Sequence, residues 1–410
     1  VKGILSLVAI YLLGRTLYPD NEWTRGRDGA PMRPYDMATD TMFEFMGVRV
    51  DPLDAVSEGD LRKLTGAVEA AGSVPRSAGG YGFDGRLNES FRVVNMLLDK
   101  GVTVRRIDKT SQGLRPGDFV VVPASEAVLA PLAKETGVDF VALKPEVSLI
   151  AHEVKRMRTG MYQRYRGGNM DEGWTRLLLE QFRFPYTTLM DAEIKKGALN
   201  DKYDLIILPD DSTATITGER SAERREGAGR SEETYPPEYR SGFGDEGVKA
   251  LKAFVEKGGT LVTLGGASNF AIDKLGVNVR NVVANRSSKE FWCPGSTLKV
   301  IFDNTNPLAY GMPPEGLALY MSGSPAFEIT PSEHNERYEV VVRYADRDLL
   351  QSGWLIGEAT LAKRAAMVAA KQGSGRVVLI GFRTQHRAQT HGAFKLLFNT
   401  LLQRKGDSNK

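Results

Sequence analysis

Apolar positions recur with helix and strand spacing over much of the chain, which predicts two successive units of α/β structure. The first unit, residues 59–155, is predicted to be a small α/β domain in which strands and helices alternate. Its helices are predicted over residues 60–71, 88–100 and 126–135, and its strands over 102–107, 118–123 and 138–143. A Gly-rich stretch over residues 79–85 separates the first two helices.

The second unit is predicted over residues 156–405, where strands and helices again follow one another. A near-continuous apolar run over residues 205–208 is typical of a central strand covered on both faces, which favours a parallel sheet. A helix opened by Asn169 is predicted to bury one apolar face, formed by Met170, Trp174, Leu177, Leu178 and Phe182. The other strands are predicted over residues 159–165, 186–189, 259–265 and 376–382, and the other long helices over 246–257 and 391–403.

Polar or irregular stretches interrupt this alternation. Residues 1–58 are predicted to be an extended N-terminal segment or linker, because residues 16–60 are rich in Pro, Gly, Asp and Arg. Residues 211–245 mix both charge signs with Gly and Pro, which predicts a flexible loop rather than a packed element. Residues 287–346 alternate in short β-like runs, which predicts a mostly β insertion.

The apolar run over residues 4–13 is about half the length of a membrane-spanning helix, so no membrane span is predicted. We expect it to be a core segment, a docking strand or the scar of an upstream truncation. The chain opens on Val1 rather than Met, and we expect further residues before it.

Composition narrows the classes of partner and of site. The chain has 54 Lys and Arg residues and 51 Asp and Glu residues. The resulting net charge of +3 gives no indication of a nucleic-acid-binding surface. The single cysteine, Cys293, excludes an intrachain disulfide and a cysteine-based zinc cluster. We expect Cys293 to be a buried, inert thiol.

The histidines do not match the spacing of a metallocarboxypeptidase site. Such a site needs a His and a Glu with two residues between them on one turn, plus a distant His, to leave one zinc position open for water. His152, His334, His386 and His391 lack that spacing. We therefore assign no metal ligand to this chain and expect surface or packing roles for all four.

The strand, turn and helix over residues 261–272 occupy the place where a class I glutamine-amidotransferase-like domain holds its nucleophile on a sharp elbow. Gly265, Gly266, Ala267 and Ser268 stand there, without a cysteine. Ser268 is the hydroxyl candidate and His386 the histidine placed to activate it, but no acid to orient that histidine is evident. A helix N-cap role for Ser268 is the favoured interpretation.

Acidic residues follow two predicted strands of the second unit. Asp171, Glu172, Asp210 and Asp211 are candidates for a ligand site at the carboxyl ends of the parallel strands, with Arg383 facing them. His386 follows the last strand and could face the same residues. The structural alternative is favoured: Asn169 and Glu172 form a capping-box pattern, and charged strand ends are commonly just solvated.

Four segments, in order, resemble the C-terminal half of large bacterial proteins of the zinc carboxypeptidase (carboxypeptidase A-like) family. They are YRGGNMDEGWTRLLLEQFRFPYTTL, YDLIILPDD, GGTLVTLGGASNFAI and GFRTQHRAQTHGAFKLLFN. An earlier segment, YPDNEWTRGRDGAPMRPYDMATDTMFEFMGV, resembles the linker that leaves the peptidase domain of those proteins. The likeness runs roughly over residues 12–402.

The resemblance implies a zinc peptidase domain upstream of this region and a flavodoxin-like, class I glutamine-amidotransferase-like fold in residues 156–405. Zinc is then expected only in the upstream domain, and a periplasmic or secreted location is typical of the family. This chain would be an accessory pseudoenzyme region, inactive alone despite its family's metallocarboxypeptidase label. It would bind a small ligand, a peptide or its own peptidase domain.

Two alternatives remain open at this point. The chain could be a divergent hydrolase or amidotransferase-like enzyme that uses Ser268 and His386. It could also be an inactive remnant of a truncated gene, which an exposed apolar patch over residues 4–13 and poor solubility would favour.

Overall fold

Two β-sheets organise the chain, and they differ in how their strands pair. The computed structural model describes residues 5–34, 71–122, 125–145, 148–165, 168–219, 239–330 and 337–404, together with residues 43, 46–48, 50–51, 65–66 and 236.

The first sheet is antiparallel throughout its described strands. Its strands are β1 (Tyr81–Phe83), β2 (Val104–Ile107), β3 (Phe119–Val121), β4 (Phe140–Ala142), β5 (Ala151–Arg156) and β18 (Leu402–Arg404). Across the sheet they lie in the order β18-β5-β2-β3-β1-β4.

The helices of this unit are α2 (Asn88–Asp99) and α3 (Glu126–Thr136). The predicted strands and helices of residues 88–143 therefore form. Because β2 and β3 follow one another without a helix, they form a hairpin rather than a parallel β/α step. The last strand comes from residues 402–404, which the sequence had suggested to be the end of a helix.

The second sheet contains a block of parallel strands, β6 (Thr159–Tyr162), β7 (Tyr186–Leu189), β8 (Leu205–Leu208), β9 (Thr260–Leu264) and β17 (Gly375–Ile380). They lie in the order β7-β6-β8-β9-β17. Numbered along the chain, this order is 2-1-3-4-5, the flavodoxin-like arrangement, which confirms the predicted α/β class and parallel sheet. Every residue of β8 is buried, as its continuous apolar run predicts.

Helices cover the parallel block and connect its strands. They are α4 (Met170–Gln181), α5 (Asp191–Lys196), α6 (Thr213–Thr217), α7 (Gly244–Glu256), α8 (Ala267–Leu275) and α9 (Phe394–Leu401).

The mostly β insertion is confirmed, and it extends the second sheet rather than standing apart. Its strands are β10 (Val279–Asn281), β11 (Gly295–Phe302), β12 (Glu315–Met321), β13 (Phe327–Ile329), β14 (Tyr338–Tyr344), β15 (Leu350–Ser352) and β16 (Ala365–Gln372). Outward from β17 the sheet continues with β16, β14, β11 and β12, and the pairing becomes antiparallel between β17 and β16. Strands thus also occur on both sides of the predicted range 287–346.

Some expectations about the polar segments need correction. Residues 5–13 form helix α1 (Leu5–Leu13), whose Leu7 and Leu12 are exposed, so this run is neither a strand nor a core segment. No helix among the described residues is long and apolar enough to cross a membrane. The 211–245 segment begins with the packed helix α6, while residues 220–235 lie outside the described part of the chain. The predicted helix over 60–71 also lies outside it, apart from residues 65–66 and 71.

The buried face of α4 differs from the apolar stripe that the spacing predicts. Met170 is 75% exposed and Leu177 is 44% exposed, whereas Asp171 and Thr175 are buried beside Leu178. The helix is rotated so that two polar residues point inward, because Gln385 donates hydrogen bonds to both of them. A satisfied polar contact has thus overridden part of the hydrophobic pattern.

Phe398 on α9 joins the cores of the two sheets. Its ring lies 5.3 Å from that of Phe91 on α2, 4.7 Å from Phe182 and 5.2 Å from Phe184, measured between centroids. Every residue of α9 is buried. The aromatic contacts therefore hold α9 between the first sheet's helix and the parallel block.

We expect Phe398→Ala to lower the free energy of unfolding by about 3–5 kcal/mol, since it removes a buried ring and leaves a cavity. Leu177→Ala on the exposed side of α4 is the matched control, with a change within about 0.5 kcal/mol. Urea denaturation followed by circular dichroism measures both. Equal effects of the two substitutions would contradict the central position of Phe398.

Candidate functional site

Polar side chains gather at the carboxyl ends of the parallel strands, where open α/β sheets bind their ligands. Arg164 follows β6, Asp210 and Asp211 follow β8, Gly265 follows β9, and Arg383 follows β17. The strand order reverses between β6 and β8, so the crevice of a flavodoxin-like sheet would open there.

A buried ionic cluster of Asp171, Asp210 and Arg383 fills this edge. The Arg383 Nη1 atom lies 2.7 Å from Asp171 Oδ2, and Arg383 Nη2 pairs with Asp210 Oδ2. The Asp171 side chain is 4% exposed and that of Arg383 is 17% exposed. The structure therefore brings together three of the predicted site residues, with Arg383 facing the acids as expected.

Asp171 is satisfied by protein groups alone. Besides Arg383, it accepts a hydrogen bond of 3.0 Å from the backbone N–H of Asp210 and two of 3.1 Å from Gln385 Nε2. Burial raises the pKa of the Asp171 carboxyl, and the Arg383 guanidinium and the Asp210 amide only partly counteract this. The cluster is consequently a closed network rather than an open set of ligands.

Asp210 also occupies the place of the expected nucleophile elbow. Its Oδ1 accepts a hydrogen bond from the backbone N–H of Gly266. A Cβ atom on Gly265 would lie 2.5 Å from that same oxygen, and Gly265 has a φ of +52°. Both space and backbone conformation therefore require glycine here. No side chain can project from this turn toward a substrate without displacing Asp210.

Ser268 lies one turn further on and points away from the crevice. It is fully buried, and its Oγ lies 3.1 Å from Thr263 Oγ1 and 3.4 Å from the Thr263 carbonyl oxygen on β9. The N-cap of α8 is Gly266, so the predicted N-cap role of Ser268 is wrong. The hydroxyl instead links α8 to the adjacent strand β9 by hydrogen bonding.

His386 packs on Trp174 of α4, with ring centroids 4.7 Å apart in an edge-to-face arrangement. Its buried Nδ1 atom has no hydrogen-bond partner, and no hydrogen bond joins His386 to Ser268. Burial, together with the neighbouring Arg383 and Arg387, lowers the pKa of His386 to about 4. The imidazole is therefore neutral at pH 7.

The remaining acidic candidates form separate pairs. Asp211 lies 3.0 Å from Arg164 Nη1, and Glu172 pairs with Arg176 on the next turn of α4. Asn169 Oδ1 accepts from the N–H groups of Asp171 and Glu172, which confirms the helix cap. Glu172 is 6% exposed and its carboxylate binds Arg176, so it is a buried residue of α4 that lies outside the central cluster.

Gln385 is the cluster member that the sequence interpretation missed. It follows the last parallel strand by a few residues, beside Arg383, and is 1% exposed. A signal was present, since polar residues directly after a parallel strand lie at the ligand-binding edge of such a sheet. Its partner Asp171 precedes it by 214 positions, so no local pattern links the two.

Cys293 lies outside this edge and has the expected character. It is 3% exposed, and burial raises the pKa of its thiol to about 12. Within the described ranges, no three His, Cys, Asp or Glu side chains are arranged to hold a metal ion.

The chain matches no protein-family profile and no curated protein. Three solved structures illustrate its structural likenesses. A cytoplasmic protein from Salmonella typhimurium has a TM-score of 0.36 at 10% identity, over 60% of this chain and 100% of that one. A ThuA-like protein from Bacteroides uniformis has a TM-score of 0.32 at 12% identity, over 59% of this chain and 91% of that one.

A β-galactosidase from Rahnella has a TM-score of 0.33 at 13% identity, over 66% of this chain and 32% of that one. The matched region thus spans about a third of the galactosidase. TM-scores this low support no inference about activity.

We expect Arg383→Met to lower the free energy of unfolding by about 3–5 kcal/mol at pH 7, because it leaves the Asp171 charge buried without its partner. Arg280→Met, which breaks the exposed pair with Glu328, is the matched control and should cost about 0–1 kcal/mol.

Lowering the pH should reduce this deficit. Arg383 partly counteracts the rise that burial causes in the pKa of Asp171, so its loss should raise that pKa further. A carboxyl whose folded pKa is raised gains stability as pH falls through that pKa toward the ordinary value, and the gain is therefore larger in the variant. Urea denaturation at pH 7 and pH 5 measures the difference. A deficit no larger than that of the control would show that the pair is not a constraint on the fold.

We expect the His386 imidazole to stay neutral until the pH approaches about 4. Its folded pKa lies below the ordinary value, so its contribution to stability is present above about pH 6.5 and is lost as pH falls toward 4. NMR titration of the imidazole protons, assigned with His386→Gln, measures the pKa directly. A midpoint near 6.5 would mean that water reaches the ring.

Proposed function

We propose that this chain is a non-catalytic binding region of a zinc-carboxypeptidase-like protein, whose chemistry belongs to a separate upstream domain. The resemblance of its segments to the C-terminal half of that family supports the family assignment. The observation that carries the non-catalytic role is the filling of the elbow by Asp210, which Arg383 and the Gly266 amide hold in place.

Catalysis at an elbow of this kind needs an exposed nucleophile and a free backbone amide for the developing oxyanion. Here Gly265 and Gly266 have no side chain that could serve as a nucleophile, and the Gly266 N–H is already hydrogen-bonded to the Asp210 carboxylate. Arg383 is also paired with two acids. The Gly266 amide and the Arg383 guanidinium are therefore both bound to the Asp210 carboxylate, and these are the three groups that could contact a substrate.

The alternative enzyme, based on Ser268 and His386, receives no support from their positions. Ser268 is fully buried and bonded to Thr263, so its oxygen has no path to a substrate. His386 packs against Trp174 and is not within hydrogen-bond contact of Ser268. A base must lie within hydrogen-bond reach of the proton that it removes. We therefore retain binding, and not acyl transfer, as the role of this region.

We expect the purified chain to show no turnover of p-nitrophenyl esters, of glutamine, or of peptides with a free C-terminus in the presence of zinc. Ser268→Ala and His386→Phe should match the unsubstituted chain, each measured against buffer. Release of product that depends on Ser268 would overturn the non-catalytic role. Trimming of peptides by the unsubstituted chain alone would overturn the separation of chemistry into an upstream domain.

A further inference from the structure

A cavity of about 760 Å³ lies on the other side of Arg383, between the β insertion and the start of α9. Its volume is in the range of small-molecule sites. Strands β11 and β12 contribute Phe302, Leu317 and Leu319 to its wall, and Leu13 and Val48 come from the N-terminal part of the chain. The wall is thus largely apolar and is built from three separate regions of the sequence.

Lys395 is the unusual group in this wall. It sits on α9, where every residue is buried, and it is itself 7% exposed. Its Nζ makes one long hydrogen bond, of 3.4 Å, to Asn88 Oδ1. The Asn88 amide is turned to make this possible, because its Nδ2 donates to the His391 carbonyl oxygen at 2.8 Å.

No carboxylate among the described residues lies within ion-pair distance of Lys395. Glu315, which also lines the cavity, pairs instead with Lys299 at 2.8 Å. Arg383 at the far wall is held by its two acids. Burial lowers the pKa of Lys395 to about 8, with Asp84 acting weakly in the opposite direction.

An ammonium group taken out of water without a counter-charge is costly, and such groups in proteins are normally paired. Apart from Arg383, the lining contains two cations, Lys395 and Arg15, and one acid, Glu315, which pairs with Lys299. An anion that entered the cavity would complete the pairing of Lys395. The apolar wall would at the same time exclude a fully hydrated ion such as phosphate from most of the space.

We propose that this cavity binds a small amphiphilic carboxylate, with its carboxylate on Lys395 Nζ and its apolar chain along Phe302, Leu317 and Leu319. The proposal rests on the binding role proposed above and names the class of ligand. It places the ligand site on the β-insertion side of Arg383, away from the closed cluster of Asp171 and Asp210.

Octanoate and octanol form the test pair, since they share an apolar chain and differ in charge. Isothermal titration at pH 7 should show saturable binding of octanoate by the chain and binding of octanol that is weaker by roughly tenfold or more. Lys395→Met should weaken octanoate binding by a similar factor and leave octanol unchanged. Lys249→Met, the same change at an exposed lysine of α7, should alter neither.

Lys395→Met is expected to fold, because replacing an unpaired buried charge by an apolar side chain of similar size is commonly neutral or stabilising. Its thermal unfolding midpoint provides that check, and Leu319→Ala gives a second variant that should weaken both ligands. Equal affinity for octanoate and octanol, or octanoate binding that survives Lys395→Met, would overturn the site.

Absence of octanoate binding by the unsubstituted chain would overturn the ligand class. That result would leave the non-catalytic role untouched, because turnover in the enzyme assays tests that role separately.

Discussion

The ion pair between Asp171 and Arg383 is the interaction on which the edge of the parallel sheet depends. Asp171 opens the helix after β6, and Arg383 follows β17, so one contact ties the first parallel strand to the last. Asp210 adds the end of β8, and its bond to Gly266 adds the end of β9. Buried charges persist when partners and hydrogen bonds satisfy them. Here protein groups bind both oxygens of Asp171 and two nitrogens of Arg383, whereas the buried Arg383 Nε has no hydrogen-bond partner. These bonds occupy most of the polar groups at this edge, which supports the proposed non-catalytic role.

Several local features follow from this constraint. Glycine is required at position 265 because the Asp210 carboxylate occupies the space that a side chain would need. Helix α4 turns Asp171 and Thr175 inward to meet Gln385, and Met170 is left in solvent as a result. Arg383 has two environments, since its guanidinium belongs to the cluster while its side chain also borders the cavity that contains Lys395. Arg383 therefore belongs both to the cluster and to one wall of that cavity.

The sequence predicted the elements well because helices and strands are marked by local spacing of apolar residues. The helix over residues 88–99, the buried strand over residues 205–208 and the β insertion all follow from such spacing. Pairings between distant residues have no local signature. Arg383 and Asp171 are separated by 212 positions, and β18 joins a strand that precedes it by most of the second unit. That Arg383 faces the acids could be inferred, because residues that follow parallel strands lie at the same edge of the sheet. That Asp171 and Asp210 also accept hydrogen bonds from Gln385 and from backbone N–H groups could not be inferred.

The position of β18 has a consequence for the order in which the protein is made. Strands β1 to β5 leave the ribosome early, yet an edge of their sheet stays unpaired until residues 402–404 are synthesised. An open edge is a site for pairing with other chains, and a nascent chain keeps that edge throughout translation of the second unit. The first unit therefore completes its own sheet only after the second unit has been translated, and protection of that edge depends on residues 402–404.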